Sequence, residues 1–403
     1  MALTQSLKIN EARWAAPAAP GGDLKMRMRG AAAIAADAAD AVDREGRFPA
    51  EAFDAIRARA LLGVMVPIEL GGEGAGIGEV ADICYALGSA CASTGMIYAM
   101  HQTKLACMIR HGRKAAWHED VLRRVAARQL LMASSTTEGQ NGGNIRSSAA
   151  PIERQGESIS LERAATVISY GREADGLVTT ARRAPDALNS DQVLVVFLKE
   201  DYTLDPIVGW NTLGMRGTCS AGFKLKAGGL AAQILPEPYE RIHTQTMMPA
   251  AHVFWASVWT GIAASAVERA RLFLRNAARH SEGQLPPGAA HYTKASMNLK
   301  TLRALVNAGV RRFEQADEAT AASQAFQTSM TMLKVEASEL AVAIALGAMR
   351  ACGLSGYRND GDFSISRALR DALSSPIMIN NDRILGNLSP ATLLDETPQS
   401  LVD

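Results

Sequence analysis

SISLERAATVISYG, residues 158–171, is where the chain changes its period. It is short, rich in β-branched residues (Ile159, Thr166, Val167, Ile168) and closed by a glycine, which reads as a strand. Working outward, LLMASSTTEG (130–139), GLVTTAR (176–182), QVLVVFLKE (192–200) and LGMRGTCSAGFKLK (213–226) share that character. Together they predict an antiparallel β domain over residues 130–235. Residues 1–129 read instead as an α-helical domain. Alanine-rich runs and a stripe of Phe53, Ile56, Leu61 and Leu62 carry the helical period, and VPIELGGEGAGIG (66–78) breaks it into separate helices. Residues 236–403 return to helices. Leu302, Leu305, Val306, Gly309, Val310 and Phe313 form one apolar stripe, and Met332, Leu340, Ile344 and Ala351 mark another. Long helices with one apolar stripe each predict a four-helix bundle. The fold class is therefore α+β: helical domain, β domain, helical bundle.

The charges nearly cancel, 42 Lys+Arg against 41 Asp+Glu. This argues against a nucleic-acid binder, which needs a basic footprint, and against adhesion to anionic membranes. The 5 Cys are widely spaced without a CxxC pair. They read as reduced thiols in a cytoplasmic protein rather than disulfides or a metal site. MALTQSLKINEARW lacks the apolar core of a signal peptide. The stretch 249–266 is the most apolar, but His252, Ser257, Thr260 and Ser265 interrupt it, so it reads as a buried helix rather than a membrane span.

GGEGAGIG (71–78) fits neither GxGxxG nor GxxxxGK[ST] and reads as a plain glycine turn. SSTTEGQNGGN (134–144) is more informative. Ser134, Ser135, Thr136 and Thr137 end a strand, and Gly142 and Gly143 allow backbone N–H groups close to a ligand. Such a loop suits the ring edge or pyrophosphate of a flavin; an ordinary polar loop has the same composition.

Read in order, these segments resemble the acyl-CoA dehydrogenase family over nearly the full length. RFPAEAFDAIRARALLGVMVPIELGGEGAG resembles the family's N-terminal helices with their PxxxGGxG turn. MASSTTEGQNGGN resembles the flavin-contacting TEPxxGSD strand, and SLERAATVISYGREADGLVTTAR the LNGxKxxITNGxxAD segment. GWNTLGMRGTCSAGFKL resembles the LGMRGT element, and CGLSGYRNDGDFSISRALRDA the GGxGY…RDA element. The resemblance implies FAD, held between the β domain and the bundle. It implies that Ser134, Ser135 and Thr137 line the isoalloxazine and that Gly142 and Gly143 lie near the pyrophosphate. Ser169 falls where a threonine bonds the flavin ring, and Val167 where an aromatic often stacks. Arg279 is the candidate for an arginine reaching a neighbouring subunit's pyrophosphate, in a homotetramer. Trp255 and Trp259 beside Phe254 and Val258 support assembly, since apolar residues on several helix faces need covering.

The catalytic base departs from that pattern. Dehydrogenation needs a carboxylate to take the α-proton while the flavin takes a hydride. Ile379 stands where the family has its glutamate, and Phe254 at the alternative position on the first bundle helix. Trp255 replaces a nearby arginine. His252 and Asp382 are the candidate bases, and His101 a candidate pocket residue. The resemblance implies an acyl thioester substrate and an electron-transfer flavoprotein as partner. The alternatives are a flavin monooxygenase supplied by a flavin reductase, and an inactive flavin-binding paralogue.

Overall fold

The computed structural model describes residues 22–113, 115–138, 146–393 and 400. Gly142 and Gly143 lie outside the described residues. The chain begins with α1 (Leu24–Glu45), α2 (Ala50–Ala58), α3 (Ile77–Ala90), α4 (Ala92–His111) and α5 (Ala116–Arg128). The glycine-rich stretch between α2 and α3 forms a turn around a short 3-10 helix, Ile68–Leu70.

The strands are β1 (Met132–Ser135), β2 (Glu153–Gln155), β3 (Ser158–Ile168), β4 (Gly176–Arg182), β5 (Gln192–Leu198), β6 (Tyr202–Val208) and β7 (Ala221–Leu230). Among the described residues they make one sheet ordered β1-β4-β5 and another ordered β2-β3-β7-β6. The strand pairings are antiparallel as expected, except that β1 and β4 run parallel. Two strands intervene between them, which gives the chain room to return in the same direction. The sequence reading also passed over β2 and β6. β2 is three exposed residues, and β6 is a mostly exposed strand at the sheet edge whose Pro206 suits that position.

The last part contains α6 (Tyr239–Ile242), a π-helical turn (His243–Met247), α7 (Met248–His280), α8 (Ala289–Gln315), α9 (Glu318–Ala322), α10 (Gln324–Cys352), α11 (Leu354–Tyr357), α12 (Ser366–Ala372) and α13 (Asn381–Thr392). Tyr239–His280 is one continuous helical run. By length and composition it is apolar enough to cross a membrane, yet 89% of its most apolar window is buried inside the protein, as befits a core helix. α7 packs against α3, α4, α8 and α10. Gly261 makes the α3 contact possible: a Cβ there would stand 2.2 Å from the Tyr85 carbonyl oxygen.

On α8, Leu302, Val306, Gly309 and Phe313 are buried as expected. On α10 Ile344 and Ala351 are buried as expected, and Leu340 is half-buried. Met332 is exposed, and the core face is Leu333, Ala337, Ala341, Ile344 and Ala348. Small alanines mark that face. The apolar residues on several faces of α7 are covered inside the chain rather than by a neighbouring subunit. Phe254, Trp255, Val258 and Trp259 are all buried within one chain, because α3, α4, α8, α10 and α12 cover α7 from different sides.

Candidate active site

The β3–β7 register breaks between Ala165 and Ile168. A bulge of this kind re-aims side chains and is common beside active sites. Here it leaves Val167 39% exposed and sets Ser169 beside the start of β7. The Ser169 and Ser220 hydroxyl oxygens are 2.7 Å apart, and Ser220 lies 2.8 Å from Thr218 Oγ1. Thr218 donates to the Met215 carbonyl at 2.8 Å.

These hydroxyls belong to the loop from Leu213 to Ser220. Met215 and Cys219 both adopt left-handed backbone, φ 53° and 47°. Each costs about 1 kcal/mol or more and persists only where the surroundings enforce it. The enforcement is visible. The Met215 amide donates to Asp371 Oδ1 at 2.6 Å, and Trp210 Nε1 donates to the Met215 carbonyl at 3.0 Å. Arg216 Nε donates to the Asp43 carbonyl at 2.7 Å. Arg370 Nη1 reaches the Leu213 carbonyl at 2.8 Å and the Asp43 carboxylate at 3.0 Å. Only glycine fits at 214, where a Cβ would stand 2.1 Å from the Arg370 carbonyl oxygen. The LGMRGT and RDA motifs, far apart in sequence, are therefore one structural unit with α1. Burial pushes the Asp371 carboxyl up to about 6, against the opposing pull of the Met215 amide.

β1, which packs against β3, carries Ser134 and Ser135, and Thr137 follows it. Its end is pinned by Arg163, a residue the sequence reading passed over. Arg163 Nη1 donates to the Ser135 carbonyl (3.2 Å) and to Thr179 Oγ1 (3.0 Å), and Nη2 to the Thr137 carbonyl (2.9 Å). Glu138 lies 3.5 Å away as its counter-ion. The signal was available: Ile159, Leu161, Arg163 and Ala165 share the buried parity of β3, and a charge on that parity must be paired.

The residues present fit a flavin in one respect that is directly visible. Ser135 Oγ is buried without a hydrogen-bond partner among the described residues, as are the indole N–H groups of Trp255 and Trp259. Buried polar atoms are normally satisfied, so each orphan marks a place for a ligand or water. The exposed Val167 and half-buried Ser169 present an apolar surface and a polar edge, as a flavin ring requires.

The proposed acid–base residues fare less well. His252 is buried, with Nδ1 2.9 Å from the Met330 carbonyl, and burial lowers it to about 4. It is neutral near pH 7 but a weak base. Asp382, the other candidate base, is exposed in the first turn of α13. His101 is fully buried. Its Nδ1 accepts from the Met132 amide at 3.0 Å and its Nε2 donates to the Leu62 carbonyl at 3.0 Å, so both nitrogens hold backbone inside the core. Phe254 is fully buried. Ile379 has φ 50°, rare for a β-branched residue. Its carbonyl accepts from Lys334 Nζ at 2.9 Å, and the same ammonium bonds the Ser375 carbonyl and Asn381 Oδ1. Arg279 is exposed in the last turn of α7. His243 was not foreseen: it opens the π-helical turn, and its Nε2 is buried without a partner among the described residues. Such turns recur at functional sites, but no sequence pattern announces one here.

Residues 25–129 match the family model of the acyl-CoA dehydrogenase N-terminal domain, and residues 244–386 that of the C-terminal domain. The chain belongs to the acyl-CoA dehydrogenase family and is a flavoenzyme-type oxidoreductase. It is similar to cyclohex-1-ene-1-carbonyl-CoA dehydrogenase of Geobacter metallireducens, 25% identical over 364 residues, 88% of this chain and 92% of that protein. Among solved structures it shares the fold of FMN-bound TdsC, a dibenzothiophene monooxygenase from Paenibacillus sp. A11-2. The TM-score is 0.80 at 18% identity, covering 93% of this chain and 98% of the other. Butyryl-CoA dehydrogenase from Megasphaera elsdenii gives 0.77 at 16% identity, over 92% and 98%.

Proposed function

We propose that this protein is an FAD-dependent oxidoreductase acting on an acyl thioester, with an electron-transfer flavoprotein as acceptor. The observation that carries the reading is the likeness to an acyl-CoA dehydrogenase across 88% of the chain. Bound FAD supplies a two-electron acceptor for a hydride. Ser134, Ser135 and Thr137 would line its ring, Ser169 would meet its polar edge and Val167 one face. Arg163 holds the β1 end in place, and the Asp371–Met215 bond holds the loop behind Ser169. α7 excludes water with Phe254 and Trp259.

A second reading, a monooxygenase receiving reduced flavin from a reductase, is favoured by one feature. Neither Ile379 nor Phe254 can accept a proton, and His252 has a depressed affinity for one. An absent general base costs roughly a hundred- to ten-thousand-fold in rate. Anaerobic titration of the FAD-loaded protein with acyl-CoAs separates the readings. Bleaching of the flavin band by one acyl-CoA supports the first. No bleaching, with oxygen-dependent turnover once a reductase is added, replaces it by the second.

A further inference from the structure

We infer that Thr218, Ser220 and Ser169 form a one-way hydroxyl chain, so that Ser169 offers the flavin a lone pair rather than a proton and thereby favours the reduced cofactor. The inference rests on the flavin site proposed above. Its starting point is a proton count. Oxygens 2.7–2.8 Å apart need a proton between them, and each hydroxyl has only one to give. The Met215 carbonyl has none, so Thr218 donates to it. Thr218 must then accept from Ser220, and Ser220 must accept from Ser169. The opposite order would press a hydroxyl lone pair against the Met215 carbonyl at 2.8 Å. Thr218 and Ser220 are only 3% and 5% exposed, so water does not readily replace either partner.

Ser169 therefore turns only lone pairs outward. If the polar edge that Ser169 meets is N5, an acceptor in oxidised flavin, such a group would repel it. Reduction by two electrons and a proton makes N5 an N–H donor, which Ser169 can receive. The chain thus raises the midpoint potential of bound flavin and helps draw electrons from a substrate. Thr218 and Ser220 act as positioning residues, through Ser169.

The test is the midpoint potential of bound FAD, measured by anaerobic reduction against a reference dye. Ser220→Ala frees the Ser169 proton to point at N5. The ratio of reduced to oxidised affinity is expected to fall about tenfold, a shift of about 30 mV to lower potential for a two-electron couple. Thr218→Val should move it the same way, because Ser220 loses its acceptor and can donate back to Ser169. Ser220→Thr keeps the chain and should retain the wild-type potential. If Ser220→Ala binds FAD with an unchanged potential, the relay is wrong; if the potential rises, its direction is wrong. A wild-type protein that binds no flavin overturns the site itself, and the relay with it.

Discussion

The Met215 amide donates to the Asp371 carboxylate at 2.6 Å across 156 residues of sequence. That bond joins the loop carrying Thr218 and Ser220 to α12, and the buried carboxylate carries a cost of its own. Burial raises the Asp371 pKa from 3.8 to about 6. The folded state binds the proton more tightly, so the favourable contribution is present below pH 3.8 and lost as pH rises through about 6. The loss is on the order of 3 kcal/mol. Asp371→Asn keeps an acceptor for Met215 and removes the titration. Its urea midpoint, relative to wild type, is expected to improve between pH 5 and pH 7.5. An equal deficit at both values would contradict this.

Histidines act in the opposite sense. Burial lowers His101 and His252 to about 4 and His243 to about 3, from 6.5. The unfolded chain takes up protons that these sites refuse, so their contribution is present above pH 6.5 and lost as pH falls toward 4. Each adds a slope of up to about 1.4 kcal/mol per pH unit. Three such groups outweigh the single opposing Asp371, so melting temperatures should fall steadily from pH 7 to pH 5. A flat profile would show that these rings are not buried neutral.

Arg163→Met should weaken FAD binding and destabilise the protein by about 3 kcal/mol or more. It removes the donor to the Ser135 and Thr137 carbonyls and one cationic partner of the buried Glu138. Chemical denaturation and flavin fluorescence measure the two effects. Wild-type values in both would remove Arg163 from the account.

Lys334→Met tests the anchoring of the Ser375–Asn381 segment. Lys334 Nζ bonds the Ser375 and Ile379 carbonyls and Asn381 Oδ1, and the variant leaves all three acceptors without it. A loss of about 2–4 kcal/mol is expected. A neutral effect on the denaturation midpoint would mean that other groups satisfy those acceptors.

Much of this was legible because the signals were local. The β-branched run of β3, the hydroxyls of β1 and the LGMRGT loop are all visible in sequence. What escaped depended on distant partners. Nothing near Asp371 announces Met215, and nothing near Ser169 announces Ser220. Arg163 was legible by parity alone. His101 and His252 could not be placed from sequence, because a titratable ring looks the same there whether it faces a substrate or a backbone carbonyl. The Trp255–Trp259 pair misled because the sequence does not show how many helices surround α7.

The central claim is that the seam between β1, β3 and the Leu213–Ser220 loop binds flavin. Equilibrium titration of the purified chain with FAD, followed by quenching of flavin fluorescence, tests it most directly. One FAD per chain is expected. Binding should be weakened at least about tenfold, some 1.4 kcal/mol, when Arg163→Met and Ser135→Val are combined. No binding at saturating FAD, or binding indifferent to both changes, would contradict it.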